Sequence, residues 1–404
     1  MSSMDKPVLL VLGGGLYQLP VVRAARAIGL RVAVVDRSPD VPAREVADIF
    51  ENIDTRNVDT VAEFAARAKV SGVIAPCTDH AVQTQARVAK RLGLPGPPIQ
   101  AAAILTHKTR FRMLLDRLGL PAPKWRQVDC GNAESAPLGG GSYILKPAQS
   151  SGSKGVFIVD NENFAERLAE TRRFCFENRA IVEEFIEGHQ GTVEGLWLAG
   201  QFKLAVFTER MTAPAPYVAT TGHRIPSRLS SVHKKEILRQ IELLLGNLSI
   251  RNCAFDCDFV IGPKEAYLIE LTPRLGGNSL SKLLLLAKGV DLVSAAISLS
   301  LTANARQAIP STTLISTRDV PAAILLLGSD RDGFLDFDDA GLAELQELEW
   351  VEEITLDVPK GVRVNQFVNG RERIGEALIT GANYELDERI AYLKNRLGIS
   401  AIPS

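Results

Sequence analysis

Apolar residues fall in short unbroken runs separated by amphipathic stretches. Residues 8–14, VLLVLGG, form an apolar run that ends in a glycine turn. Such a run reads as a strand covered on both faces. LPVVRAARAIGL (19–30) carries apolar residues at helical spacing, and RVAVVD (31–36) is strand-like again. A helical FAARAKV (64–70) and a strand with its loop, SGVIAPCTD (71–79), continue the alternation. Strand–helix–strand alternation predicts a doubly wound α/β unit over residues 1–105. Ligands of such sheets bind beyond the carboxyl ends of the strands. Gly13 to Gly15, Asp36 and PCTDH (76–80) should therefore share one rim.

The pattern changes after residue 105. KTRFRMLLDRLGL (108–120) reads as a helix closed by Gly119 and Pro121. The turn-rich DCGNAESAPLGGG (129–141) reads as an exposed loop. From Tyr143 to about Leu301 strands and helices alternate with hairpins. Beyond 302 come short strands, AAILLLG and VEEITLDV, and a closing helix, NYELDERIAYLKNRLG. The expected organisation is a Rossmann-like N-terminal domain (1–105), a central module (106–301) and a small C-terminal α+β domain (302–404). No internal repeat or low-complexity tract is visible.

Composition narrows the function classes. The 404 residues carry 46 basic and 47 acidic side chains, net charge -1, and 46% hydrophobic residues. A sizeable core can form, and no basic excess points to nucleic acid. The five cysteines are scattered, without a CxxC pair, which argues against a zinc site or a disulfide framework. No apolar run approaches membrane-spanning length. The expectation is a cytoplasmic protein without nucleic-acid or membrane partners.

Three segments carry candidate chemistry. GGGLYQLP (13–20) invites a dinucleotide reading with Asp36 as the ribose acid, but Gln18 stands where the third glycine of GxGxxG belongs. The plainer reading is a tight turn at a sheet rim that contributes to a substrate pocket. In YILKPAQSSGSKGVFIV (143–159), two apolar runs flank Ser150 to Gly155, with Lys146 just ahead. A serine–glycine backbone can aim several N–H groups at an anion, and a lysine adds a point charge suited to phosphate. The segment is not a GxxxxGK[ST] loop; it reads as a glycine-rich flap over a triphosphate, the alternative being a solvated hairpin tip.

The third segment is NCAFDCDFVIGPKEAYLIELTPRLGGNS (252–279). Period two puts Asp256 and Asp258 on one face of a strand, and Leu268, Glu270 and Thr272 on one face of the next. A three-residue turn at 263–265 sets Asp258 opposite Glu270 and Asp256 opposite Thr272. Facing carboxylates repel, so a cation or a lysine should offset them. Hard oxygen ligands suit Mg²⁺ bridging nucleotide phosphates. Arg274 follows closely and could clamp a phosphoryl group or an oxyanion. The two glycines after it suggest close approach of backbone to a ligand.

In combination these segments resemble the ATP-grasp superfamily, specifically its carboxylate–amine ligases, along almost the whole chain. The resemblance implies ATP and Mg²⁺ as cofactors, with small-molecule carboxylate and amine substrates. HKTRFRMLLDRLGLPAPKW (107–125) resembles the start of the ATP-grasp module, with Lys108 as a nucleotide-binding lysine. Lys146 resembles the second phosphate-contacting lysine and a catalytic group. Ser151, Gly152, Ser153 and Gly155 match the loop over the phosphates. IVEEFIEG (181–188) resembles the adenine-lining segment, with Glu183, Glu184, Phe185 and Ile186. Gln190 stands where the family often has a ribose-binding acid. Asp258 and Glu270 match the magnesium-binding acids, and Arg274 the catalytic arginine of ExNPR, here ELTPR with Thr272 for the asparagine. His223 and Arg224 in YVATTGHRIPS, with Gly277 and Asn278, fall where the family crosses its acceptor pocket. The implied activity is ATP-dependent ligation of an amino acid or similar carboxylate through an acyl phosphate. The rivals are a purine-pathway relative acting on formate or bicarbonate and a ribonucleotide amine, and a non-catalytic ATP-binding module. Dimers are frequent in the family, which leaves a homodimer open.

Overall fold

The computed structural model describes residues 6–131, 141–310, 316 and 318–403, so most of the loop expected at 129–141 lies outside the described residues. The chain opens with β1 (Val8–Leu12), α1 (Leu19–Ala27), β2 (Arg31–Asp36), β3 (Ile49–Asn52), α2 (Val58–Arg67), β4 (Gly72–Ile74) and α3 (Asp79–Leu92). The strands form a parallel sheet in the order β3-β2-β1-β4. Every residue of β1 is buried, as its unbroken apolar run demands. Leu9 and Val11 face α1, while Leu10 and Leu12 face Phe64 and Val82.

Two helices, α4 (Ile99–Leu105) and α5 (Lys108–Arg117), lead to a small antiparallel sheet. It contains β5 (Trp125–Asp129), β6 (Tyr143–Pro147), β7 (Phe157–Val159) and β8 (Arg179–Glu184), in the order β5-β8-β6-β7, with α6 (Phe164–Arg172) packed against it. The glycine–serine stretch joins β6 to β7.

The rest of the chain builds one large sheet and one small one. The strands begin with β9 (His189–Leu198), β10 (Gln201–Thr212) and β11 (Thr220–Ile225); α7 (Ser231–Asn247) follows. Next come β12 (Cys253–Ile261), β13 (Ala266–Thr272), α8 (Leu280–Lys288) and α9 (Leu292–Ser300). The last strands are β14 (Ala322–Leu327), β15 (Gly333–Asp336), β16 (Val351–Leu356), β17 (Arg363–Val364), β18 (Gly375–Thr380) and β19 (Ser400–Ile402). Eight of them pair in the order β13-β12-β9-β10-β11-β14-β18-β16, and β17-β15-β19 form a separate small sheet. The C-terminal α+β unit thus shares the central sheet: β14 pairs with β11, His223 opposite Ile324.

One core ties the units together. Leu9 and Val11 of the first sheet, Leu283 of α8, Leu292 of α9 and Ile324 of β14 belong to a single buried cluster. Among the described residues no single helix is long and apolar enough to cross a membrane; the bent pair α8 and α9 passes by composition, and it lies largely in this core.

The β12–β13 hairpin faces Asp258 with Glu270 and Asp256 with Thr272, the expected pairing. The route to that register differs. The connection spans 262–265, one residue longer than expected, and a bulge between Asp258 and Phe259 restores the offset. The bulge lets Leu268 join Phe255, Cys257 and Phe259 in the hydrophobic layer while Glu270 turns the other way. Leu268 therefore does not share a face with Glu270 and Thr272, contrary to the strict period of two.

Candidate active site

A cleft of about 690 Å³ opens between the β5–β8 sheet and one face of the large sheet. The rim of the first sheet and Gly370, Arg371 and Arg373 complete its wall. Of the residues singled out from sequence, Lys108, Lys146, Ser151, Gly152, Ser153, Glu183, Glu184, Phe185, Ile186, Gln190, His223, Asp258, Glu270, Arg274, Gly277 and Asn278 all line it.

Lys146, in the middle of the small sheet, is buried and lies 2.7 Å from Glu183. Burial pulls its pKa down to about 8, and Glu183 offsets only part of that loss. Glu183 also meets Arg112 at 2.8 Å; the guanidinium of Arg112 is wholly buried and reaches the Ile269 carbonyl at 3.0 Å. The Glu183 carboxylate is thus bound up with the two cations that flank it. Lys108, first residue of α5, donates to the Ser150 carbonyl at 2.8 Å and lies 3.4 Å from Glu270. The glycine–serine loop is anchored at one end by Lys108 and further along by the Gly370 N–H, which donates to the Gly152 carbonyl at 2.9 Å. Gly152 (φ +71) and Ser153 (φ +55) adopt left-handed backbone there.

Two residues stand elsewhere. Gly155 is buried against Phe174 of the segment after α6, and a Cβ there would come within 2.7 Å of that ring, so its glycine serves packing beneath the loop. Arg224 points to the opposite sheet face from His223, because neighbours on a strand alternate. It pairs with Glu209 and with Asp387 at 2.6 Å each, a structural ion cluster away from the cleft.

The acids concentrate on the large sheet. Thr192 donates to Asp258 at 2.6 Å, and Arg210 approaches Asp258 at 3.4 Å. Burial lifts the Glu270 carboxyl to about 7, partly offset by Lys108. Beside them Arg274 donates from Nε and Nη2 to Asp79 Oδ1 at 2.9 and 2.7 Å, and from Nη1 to Asp256. Beside them burial and the Asp256 charge push the Glu194 carboxyl well above the usual carboxylate range. The Thr272 hydroxyl is buried and has no hydrogen-bond partner among the described residues. His223 is buried and neutral, its pKa lowered to about 3 by burial and by Arg210; its Nδ1 lies 3.1 Å from Thr208 Oγ1.

The N-terminal glycines resolve into the plainer alternative. Asp36 accepts from the Gly14 and Ser38 N–H groups at 2.8 and 2.9 Å, so its carboxylate fastens the turn. Gln18, in the third-glycine position, donates to the Pro76 carbonyl at 2.8 Å and ties that turn to the PCTDH segment. Gly15 to Gln18 line the cleft. Sequence reasoning did not select Asp79, Arg112, Arg210, Lys154, Arg371 or Arg373. Asp79 could have been found, because it follows a rim strand. Arg112 looks like any helix-surface arginine, and GRER (370–373) lies over 200 residues from the loop it meets.

Two family models match the chain: the ATP-grasp N-terminal domain over residues 22–96 and the ATP-grasp domain over residues 106–278. The chain belongs to the ATP-grasp superfamily, whose members use ATP and Mg²⁺. It is 26% identical over 329 residues to chicken carnosine synthase 1, covering 73% of this chain but 35% of that longer protein. It is also 26% identical over 355 residues to a formate-dependent phosphoribosylglycinamide formyltransferase from a Synechococcus species, covering 82% of this chain and 84% of that protein. The fold matches the crystal structure of an L-amino acid ligase from Bacillus licheniformis with a TM-score of 0.80 over 99% of both chains at 16% identity.

The donor set fits the implied ion. Asp258 and Glu270 offer hard carboxylate oxygens that face each other across strands, and Mg²⁺ is commonly held by one or two carboxylates with phosphate and water completing its shell. Among the described residues no three His, Cys, Asp or Glu side chains are grouped to hold an ion alone.

Proposed function

We propose that this chain joins a carboxylate, most simply that of an amino acid, to an amine at the expense of ATP, releasing ADP and phosphate. The observation that carries the reading is the convergence of Lys108, Lys146, Asp258, Glu270 and Arg274 on one cleft. In this reading adenine lies along residues 183–186, and Gln190 hydrogen-bonds the ribose. Lys108 and Lys146 neutralise phosphate oxygens, while the 150–154 backbone caps them and keeps water out. Mg²⁺, held by Asp258 and Glu270, would neutralise the charge that develops on the transferring phosphoryl group.

The γ-phosphoryl group passes to a carboxylate oxygen, and ADP departs. The amine lone pair then attacks the acyl carbon of the resulting acyl phosphate. The tetrahedral intermediate collapses with cleavage of the C–O bond to phosphate, which leaves with the electron pair. Arg274 faces the oxygen that gains negative charge. Positioning and electrostatics supply the catalysis.

One observation favours keeping the purine-pathway reading as the second. Lys154 and Arg371 both line the cleft, and among the described residues neither has a carboxylate within ion-pair distance. Two unpaired cations would suit a second substrate with an anionic group, either an amino-acid carboxylate or a ribonucleotide phosphate. The same reading divides the chain at 1–105, 106–301 and 302–404, and has it work in the cytoplasm with a homodimer left open.

Purified protein incubated with ATP, Mg²⁺ and a matrix of acid–amine pairs tests the proposal through ADP and phosphate release. Release that requires both an amino acid and an amine is expected. Release driven by formate or bicarbonate with a ribonucleotide amine selects the second reading. No release from any pair, with ATP still bound, overturns both.

A further inference from the structure

We propose that Asp79 is a positioning residue that orients Arg274 from the rim of the first sheet, completing the catalytic arginine across two structural units; this rests on the ligase reading for the role of Arg274. Asp79 is the first residue of α3 and is 4% exposed. At a helix start an acid is favoured by the dipole alone, yet this carboxylate is committed outward to the guanidinium. Arg274 has five N–H donors. Nε and Nη2 give one each to Asp79, while Nη1 gives one to Asp256 and one to the Leu275 carbonyl at 3.1 Å. One Nη2 N–H remains for a ligand. The guanidinium is therefore a fixed, single-donor pointer, with its plane set by Asp79 on one edge and Asp256 on the other.

The neighbouring backbone is built to hold Asp79 there. The Cys77 N–H donates to the Leu275 carbonyl at 3.1 Å, and its thiol to the Gly276 carbonyl at 3.0 Å. Cys77 adopts φ +59, a conformation that non-glycine residues avoid, and it does so between these two bonds. Gln18 fixes the preceding Pro76 carbonyl. Residues 76–79 and 274–276 are thus joined by four separate polar contacts. Glu194 packs tightly against the same segment: a Cβ at Gly276 would lie 1.8 Å from Glu194 Oε1.

The test is Asp79→Asn, with Asp79→Glu as the conservative partner. Hydrogen exchange at the Arg274 Nε–H, followed by side-chain nitrogen NMR, needs no turnover. Loss of a charged acceptor should speed that exchange on the order of tenfold or more. With an acid–amine pair that releases phosphate, kcat should fall on the order of 10- to 100-fold. KM for ATP should stay within about twofold, because Asp79 is assigned no nucleotide contact, and Asp79→Glu should recover part of kcat. Unchanged Nε–H exchange, or loss of kcat and ATP affinity together, overturns the proposal. If Asp79→Asn does not fold, Arg274→Ala carries the test: millimolar guanidinium should raise its melting temperature by filling the gap between Asp79 and Asp256. A rise equal to that of the wild type, or none, overturns the proposal. If no acid–amine pair is turned over, the ligase reading fails, while the exchange and melting arms still decide whether Asp79 fixes Arg274.

Discussion

Lys146 illustrates how burial and pairing set the charge of a lysine in the cleft. Its ammonium has one carboxylate partner, Glu183, which is shared with Arg112. Burial outweighs that partner and brings its pKa down to about 8. A triphosphate beside it would restore the charged form. ATP binding near pH 8 should therefore draw a fraction of a proton from solution, since the free lysine is only partly protonated there. Near pH 6 the lysine is already charged, and this uptake should vanish. Calorimetric titration with ATP in buffers of different ionisation enthalpy reads the uptake directly, and Lys146→Met should abolish the component near pH 8. An uptake independent of pH, or one that survives in Lys146→Met, would assign the proton elsewhere. Arg224 is the counter-example at this scale. It is as basic and as buried as a ligand-binding arginine, yet Glu209 and Asp387 consume it.

At the scale of elements, the hairpin β12–β13 decides where the acids go. Alternation along CAFDCDFVI correctly separates Asp256 and Asp258 from Phe255, Cys257 and Phe259. The return strand is less legible, because Leu268 and Leu271 must both reach the hydrophobic layer while Glu270 reaches the cleft. Only an extra residue satisfies both, and a two-residue period contains no sign of it. The longer turn and the bulge offset each other, which is why the pairing of Asp258 with Glu270 was readable although the turn was not. β9 accommodates the phenylalanine layer by omitting side chains: a Cβ on Gly195 would lie 2.3 Å from the Phe255 ring and 2.5 Å from the Leu204 carbonyl. Gly195→Ala should cost about 1–3 kcal/mol through overpacking. Denaturant unfolding would measure it, and a change below about 0.5 kcal/mol would mean that the ring moves freely aside.

For the whole molecule, the cleft is made by parts far apart in sequence. The first sheet brings Asp79, the small sheet Lys146, the large sheet Asp258 and Glu270, and the C-terminal unit Arg371 and Arg373. Local patterns revealed the lysines, the acids and Arg274 because each sits in a motif with its own spacing. They could not reveal Asp79 as the partner of Arg274, 195 positions away, nor the Gly370 contact that closes the loop at Gly152. Nor could they show that β14 and β18 continue the central sheet, since a strand's neighbours are not written in its own alternation. Lys282 on α8 joins Glu353 and Glu376, at 2.7 and 2.8 Å, and so binds the C-terminal unit to the same frame.

In the proposed reaction a carboxylate is activated as an acyl phosphate in this cleft. The most direct measurement supplies the acid identified by the ADP-release screen with a heavy oxygen isotope in its carboxylate, then follows the label by mass spectrometry. Transfer of one labelled oxygen to inorganic phosphate per bond formed is the predicted result, because the bridging oxygen leaves with phosphate. Product formation with unlabelled phosphate would rule out an acyl phosphate, since the carboxylate oxygen would then never have been phosphorylated.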